Sequence, residues 1–404
     1  MTKDDIINAA FQVWEADFYK KMSLSSLAEY LGVTKAALYR HFKNKEELLE
    51  AMTSSFFDSY LGFIQPWFEA SMKAKNDVDG LLIITRGITE YYARNKSGFI
   101  FSLVELSDHK SSPAKDMGTQ MKARGIELQK LPFFKSREKS MMTIQLSSKV
   151  AIFMTAVFFL DRKGKSREPT QQEITKLLDR VEYQISYGLG FTKEDADSID
   201  FRKLERMITV KVPEEQKKDN ILKAVGNAIA QAGPRDASME LVAKHAGLSK
   251  SGLYSHFKSK EDMLRQFFSG EFEKICSTVA VMPETEKPGE QLYFIIGFII
   301  KYLQARPEIM IALDWLRMQR IDLGMAIPGG IVTWLSNPGF VKTVPGEKGK
   351  EMSQEELHQY IIFCIMGLLK RCYSSSSSGN IELSNENIRF FYRFLISGVK
   401  GGII

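Results

Sequence analysis

The chain has 404 residues, 44% hydrophobic and 26% charged, the balance of an ordinary globular protein with room for two to four domains. Its net charge of +6 is a mild basic excess, compatible with a local nucleic-acid footprint without demanding one. Three widely spaced cysteines, Cys276, Cys364 and Cys372, argue against a disulfide framework or a thiolate metal site and point to a reducing cytoplasm.

Met1 to Asp5 open straight into an amphipathic pattern, so no secretory leader is expected. Ile6, Ala9, Ala10 and Val13 then recur at i, i+3, i+4 and i+7, the apolar stripe of a first helix. Ser23 is placed to cap a second helix of about two turns, with Leu24, Leu27, Ala28 and Leu31 on one face. Gly32 falls where a left-handed C-cap belongs, and Thr34 can cap a third helix. That helix buries Leu38 and Phe42 and turns Lys35, Ala36, Ala37, Tyr39 and Arg40 outward. Its small leading residues allow close approach to base edges in a major groove, while Lys, Arg and Tyr reach bases or phosphates and His41 adds a hydrogen-bonding tip. Asn44 opens a fourth helix with Lys45 at its first position and Glu46 and Glu47 in its first turn. A helix N-terminus carrying a lysine suits a phosphate, a contact that fixes register without reading sequence.

Downstream, helical patterning continues almost throughout, without alternating runs bounded by turn signals, so the fold class is all-α. Phe63 and Trp67 in one aromatic-rich stretch, with Phe101, and Phe298, Tyr302 and Trp315 in another, are candidates to line a small apolar ligand cavity, although helically spaced aromatics are more often core. The longest apolar runs, Ala151 to Leu160, Phe294 to Ile300 and Ile361 to Leu369, fall short of the roughly 18 to 20 residues of a bilayer span and read as buried helix segments; no membrane partner is expected.

The chain is also a duplication. Sliding it by 215 positions places Leu38 to Glu46 on Leu253 to Glu261, and the register runs back without a gap to Ile6 and Ile221. Further on the offset drifts, with Tyr91 on Tyr302, Phe153 on Phe363 and Gly188 on Gly398, as small loop deletions would leave it. Each element has its counterpart: Ser238 as cap, Gly247 as C-cap, Ser249 before the third helix and Ser259 before the fourth. The outward residues of the second copy are Lys250, Ser251, Gly252, Tyr254 and Ser255, with His256 beside them and Lys260 at the fourth helix. The expected order is a helix-turn-helix domain at 1–50, a helical body at 51–191, a charged linker at 192–215 containing Pro213, a second helix-turn-helix at 216–266 and a second body at 267–404. The polar stretch Ser374 to Gly379 reads as a flexible loop.

The runs Gly32-Val33-Thr34-Lys35-Ala36-Ala37-Leu38-Tyr39-Arg40-His41-Phe42-Lys43-Asn44-Lys45 and Gly247-Leu248-Ser249-Lys250-Ser251-Gly252-Leu253-Tyr254-Ser255-His256-Phe257-Lys258-Ser259-Lys260 resemble the N-terminal domain of the TetR family of bacterial repressors. The resemblance is close over about 45 residues in each copy. It implies a three-helix DNA-binding domain on a larger helical domain that binds a small ligand and dimerises through its last two helices. By position, the family's base- and phosphate-contacting residues fall on Lys35, Ala36, Ala37, Tyr39, Arg40, His41 and Lys45, and on Lys250, Ser251, Gly252, Tyr254, Ser255, His256 and Lys260.

Members of that family normally carry one such unit and pair as homodimers. Two unequal units in one chain therefore predict a monomeric pseudo-dimer, itself free to self-associate further, in which Ala151 to Leu160 and Ile174 to Leu189 pack on Ile361 to Leu369 and Ile388 to Val399. The expected partner is a double-stranded DNA operator, the expected function ligand-responsive repression, and the expected compartment the cytoplasm. The rival reading is a helical ligand-binding or adaptor protein that keeps the fold and has lost DNA binding. No cofactor is expected, and His41, His109, His245, His256 and His358 show no metal-ligand spacing. No phosphate-cradling loop, nucleophile elbow or zincin helix supports an enzyme.

Overall fold

In the computed structural model, the described residues are 1–17, 23–106, 116–127, 130–131, 137–162, 164, 167–191, 194, 197–208, 217–259, 262–263, 266, 288–306, 309–310, 354–375 and 383–401. Among them there is no strand. The chain divides into two compact units: the first comprises Met1–Ile144 and Met154–Glu182, the second Gln145–Phe153 and Tyr183–Ile403.

The first unit begins with three helices, α1 (Lys3–Asp17), α2 (Leu24–Leu31) and α3 (Lys35–Tyr39). The long α4 (Lys45–Met72) follows, then α5 (Asp77–Arg94), α6 (Lys96–Glu105) and α7 (Met117–Ala123). Helices α8 (Arg137–Leu160) and α9 (Gln171–Tyr187) begin in this unit and contribute to both. On α4, Leu48, Met52, Phe56, Tyr60, Ile64 and Phe68 repeat every fourth residue and are all buried, so one stripe faces the core for about six turns. Phe56 is the centre of an aromatic cluster, its ring 5.5 Å from Phe57 and from Tyr60 and 5.9 Å from Phe101. Phe101, on α6, also meets Phe11 at 5.1 Å and Trp14 at 5.5 Å, both on α1. Lys96 at the start of α6 pairs with Glu15 of α1 at 2.7 Å. Ring contacts of this kind add about 0.5–1.5 kcal/mol each to the burial they accompany, so Phe101 is one link between the first helix and the body.

In the second unit a further helix, α10 (Phe201–Met207), precedes α11 (Lys217–Asp236), α12 (Met239–His245) and α13 (Lys250–His256); α14 (Pro288–Ala305), α15 (Gln354–Ser375) and α16 (Asn385–Ser397) complete it. Helix α10 lies inside the stretch read as a linker. It is docked rather than free: Phe201 and Leu204 are buried, and the Phe201 ring stands 4.7 Å from Tyr293 of α14 and 6.0 Å from Tyr392 of α16. Glu205, also on α10, accepts hydrogen bonds from Tyr293 Oη at 2.7 Å, Arg389 Nε at 2.7 Å and Arg389 Nη2 at 2.5 Å. Burial raises the Glu205 carboxyl, but the bonds from Arg389 and Tyr293 outweigh it and hold the group below the usual carboxylate range.

The residues that seat α10 are particular to the second copy. At the offsets of 211 and 210 set by Tyr91 with Tyr302 and Gly188 with Gly398, the first-copy counterparts of Gly297, Arg389 and Tyr392 are Arg86, Asp179 and Glu182. Arg86 there bridges Asp179 at 3.4 Å and Glu182 at 3.1 Å. In the second copy glycine stands in place of that arginine, and a Cβ on Gly297 would lie 2.7 Å from Ile208 Cδ1, immediately after α10. A charged outer face has thus been exchanged for a socket.

The end of the second unit joins segments from both copies. Phe153 of α8 lies 5.3 Å from Tyr360 and 5.9 Å from Phe363, both on α15, with Lys149 Nζ 5.8 Å over the Phe363 ring. After α9 the backbone crosses the end of α16: Leu189 N donates to Leu395 O at 2.9 Å and Phe191 N to Ile396 O at 3.0 Å. Gly188 and Gly398, at φ +57° and +61°, sit at the crossing. A Cβ on Gly188 would come within 2.8 Å of Gly398 N, and one on Gly398 within 2.5 Å of Ile185 O, so the close approach excludes side chains at both positions.

The expectation about apolar length needs correction in one place. The run Ala151 to Leu160 is the end of a longer segment, Lys139–Leu160, which by length and composition alone is sufficient to cross a membrane. The continuous α8 joins it to Met142, Leu146 and Val150, and these residues, with Met154 and Val157, are buried against the protein's own core. Of the polar loop Ser374 to Gly379, Ser374 and Ser375 end α15 and the remainder lies outside the described residues.

Candidate nucleic-acid interface

Local capping builds the same helix-turn-helix twice. In the first copy Ser23 Oγ accepts from Ser26 N at 3.0 Å and Ser26 Oγ from Ser23 N at 2.9 Å, a reciprocal cap that starts α2. Gly32 ends it at φ +65°, where Val33 N donates to Ala28 O at 2.9 Å. Thr34 Oγ1 accepts from Ala37 N at 3.3 Å to start α3, and Asn44 Oδ1 from Glu47 N at 2.8 Å to start α4. In the second copy Ser238 Oγ accepts from Leu241 N at 3.2 Å, Gly247 takes φ +67°, and Ser249 Oγ accepts from Gly252 N at 3.0 Å. Ser259 Oγ then accepts from Asp262 N at 3.1 Å. Ser caps the second helix in both copies, while Thr34 is replaced by Ser249 and Asn44 by Ser259; the donors they satisfy are equivalent, and each cap is worth about 1 kcal/mol.

With the turns fixed, α3 and α13 present one face inward and one outward. Leu38 and Phe42 are buried beneath α3, and Leu253 and Phe257 beneath α13. Tyr39 is 52% exposed and Tyr254 45%, too much for either phenol to be core. Lys35, Ala36 and Arg40 are exposed, and Ala37, His41 and Lys45 half-buried. In the second copy Lys250, Ser251, Tyr254, Ser255 and His256 are exposed and Gly252 half-buried, while Lys260 lies outside the described residues. The candidate DNA contacts on α3 and α13 thus lie along one outward strip of about two helical turns, while Lys45 stands apart at the start of α4.

The two strips are occupied differently. Lys250 Nζ is paired with Glu240 of α12, an acid at the position where the first copy has Ser25. Ser255 Oγ donates to Gly252 O at 2.7 Å, and the hydroxyls of Ser249 and Ser251 are 3.0 Å apart. Glu240 draws the Lys250 ammonium upward in pKa, and Lys250 draws the Glu240 carboxyl downward. In the first copy none of the described residues forms an ion pair with Lys35 or Arg40. Glu240 was not among the residues singled out from the sequence; its signal was the mismatch with Ser25 in an otherwise matched register.

Of the candidate cavity residues, Phe63 and Phe101 are linked through the rings of Tyr91 and Phe56. Phe101 is fully buried in the α1–α6 cluster, and Phe63 and Trp67 are half-buried on α4. Trp67 lies against α5 so closely that a Cβ on Gly87 would stand 2.8 Å from its Cδ1. Phe298 and Tyr302 are buried on α14 with rings 5.8 Å apart, and Trp315 lies outside the described residues. Among the described residues no group of three or more His, Cys, Asp or Glu is placed to hold a metal ion. His245 is instead hydrogen-bonded through Nε2 to Gln231 Oε1 at 2.8 Å, and His109 lies outside the described residues.

The profile of the family described as bacterial regulatory proteins, tetR family, matches the chain twice, at residues 6–52 and 221–267. An HTH-type transcriptional repressor of Mycobacterium tuberculosis is 34% identical over 67 residues, covering 17% of this chain and 25% of that protein. The HTH-type transcriptional regulator TtgR of Pseudomonas putida is 40% identical over 63 residues, 15% of this chain and 28% of that protein. The match thus spans about a quarter of the length of these curated relatives.

Proposed function

We propose that this chain, a member of the tetR family of bacterial regulatory proteins that carries the family's DNA-binding domain twice, is a sequence-specific, ligand-responsive repressor acting as an intramolecular pseudo-dimer on an operator with unequal half-sites. The observation that carries the reading is that equivalent residues of the two copies touch each other: Phe153 meets Phe363, and Gly188 meets Gly398. A residue can contact its own equivalent only near a two-fold axis, which is the mark of an isologous pair. In a homodimer that axis relates two chains; here it relates two segments of one.

The two outward strips then enter successive major grooves, whose centres are about 34–36 Å apart on one face of the duplex. Small residues at 36, 37, 251 and 252 allow approach to base edges, while Tyr39, Tyr254 and the lysines reach phosphates. An apolar effector entering the helical bodies beside residues such as Phe63, Trp67 or Phe298 acts by favouring one separation of the strips over another, to the extent that it binds the two arrangements unequally. The compartment is the cytoplasm, where the operator is.

The test uses a duplex recovered by the full chain from a random-sequence pool. Changing Tyr39→Phe and Lys45→Ala together is expected to weaken binding to that duplex about tenfold at 0.1 M salt and to make the plot of log affinity against log salt shallower by about one. Unchanged affinity and slope would take the first copy off the DNA. Recovery of no duplex at all would favour an adaptor that has kept only the fold.

A further inference from the structure

The two recognition helices are similar in sequence but not in what their side chains are doing. On α13 the ammonium of Lys250 is paired with the carboxylate of Glu240, the Ser255 hydroxyl is spent on the Gly252 carbonyl one turn back, and Ser251 is within hydrogen-bond distance of Ser249. On the first copy the counterparts of these three groups are Lys35, Arg40 and Ala36, and neither cation has an ion-pair partner among the described residues. Both members of the Glu240 pair are well exposed, 66% for Glu240 and 57% for Lys250, so the pair lies on the strip itself and not beneath it.

We infer that Glu240 is a positioning residue that occupies Lys250 in the absence of DNA, making the second helix-turn-helix the weaker DNA binder and leaving the first to anchor the chain. The inference rests on the DNA-binding reading above. Its physical basis is competition. A phosphate that takes Lys250 must displace a carboxylate already held by hydrogen bond and charge, and that carboxylate then remains beside the phosphate as a like charge. An exposed pair of this kind is worth little by itself in folding, so its effect is expressed in binding. Among the described residues Lys35 meets no such competitor: the position that would carry the acid is Ser25. Gly252 in place of Ala37 and Ser255 in place of Arg40 act in the same direction, the first by loosening the helix and the second by removing a cation.

Glu240 acts through Lys250, so the test must separate release of Lys250 from a general change in charge. The full chain and its E240Q, E240S, K250A, K35A and E240Q/K250A variants are titrated with the duplex recovered from the random pool, by fluorescence anisotropy between 0.05 and 0.3 M salt. E240Q and E240S are expected to bind about 3- to 10-fold more tightly at 0.1 M salt and to steepen the salt slope by about one, as one more lysine reaches a phosphate. K35A is expected to lose about tenfold and K250A no more than about twofold. E240Q/K250A should lose most of the gain of E240Q, since the gain requires the freed lysine. Equal losses for K35A and K250A, or a gain from E240Q that survives without Lys250, overturn the inference while leaving the DNA-binding reading intact. A chain that recovers no duplex overturns both.

Discussion

Replacing Gly188 or Gly398 by alanine is expected to unfold the end of the second compact unit at a temperature well below that of the unaltered protein. Two costs add. An L-residue held at φ near +60° costs about 1–2 kcal/mol where glycine costs nothing. The added Cβ then meets backbone, Gly398 N at 2.8 Å for position 188 and Ile185 O at 2.5 Å for position 398, atoms that cannot swing aside as a side chain tip would. A total of at least about 3 kcal/mol is the scale of severe single substitutions, and at about 2–4 °C per kcal/mol it lowers the transition by roughly 6–12 °C in a scanning calorimeter. Gly32→Ala is the internal control. Its φ is +65°, yet nothing lies within 4 Å of the new Cβ, so it should cost only the backbone share, about 1–2 kcal/mol. Equal shifts for Gly32→Ala and Gly188→Ala would mean that the crossing at 188 and 398 is not tightly packed, and the pseudo-two-fold contact would lose its support.

Phe101→Ala should be comparably damaging to the first unit. The ring is completely buried and touches Phe11 and Trp14 on one side and Phe56 on the other. Removing such a side chain costs about 3–5 kcal/mol when the surroundings cannot collapse, and neighbouring aromatic rings of this size collapse poorly. Because Phe101 joins α1 to α6, DNA affinity is expected to fall together with the melting temperature. The same substitution separates two roles for the residue: an unchanged melting temperature with altered ligand response would make Phe101 a cavity wall, whereas a drop of about 10 °C makes it the pin between the DNA-binding helices and the body.

What could be read from the sequence follows the range over which each interaction acts. Ser23, Gly32, Thr34 and Asn44, with their counterparts Ser238, Gly247, Ser249 and Ser259, satisfy donors or turn the chain within three or four residues, and the structure has each of them in that part. The same locality made the outward strip readable, since burying Leu38 fixes by helical period which neighbours face away. The seat of α10 was not readable. Glu205 meets Tyr293 from 88 positions away and Arg389 from 184, and no period or cap ties those residues together; the stretch looked like linker because its charge was visible and its partners were not. The full length of the apolar α8 was likewise hidden by its interspersed serines and lysines. Gly188 and Gly398 stand between these cases: their equivalence could be read from the repeat, but their mutual contact is a fact of three dimensions.

Because one chain is proposed to do the work of two, the decisive measurement is the mass of the complex between the full chain and the recovered duplex, by sedimentation or native mass spectrometry. One 46.0 kDa chain per duplex is predicted, with protection of two unequal half-sites one helical turn apart. Two chains on each duplex, with a perfect palindrome protected between them, would contradict it.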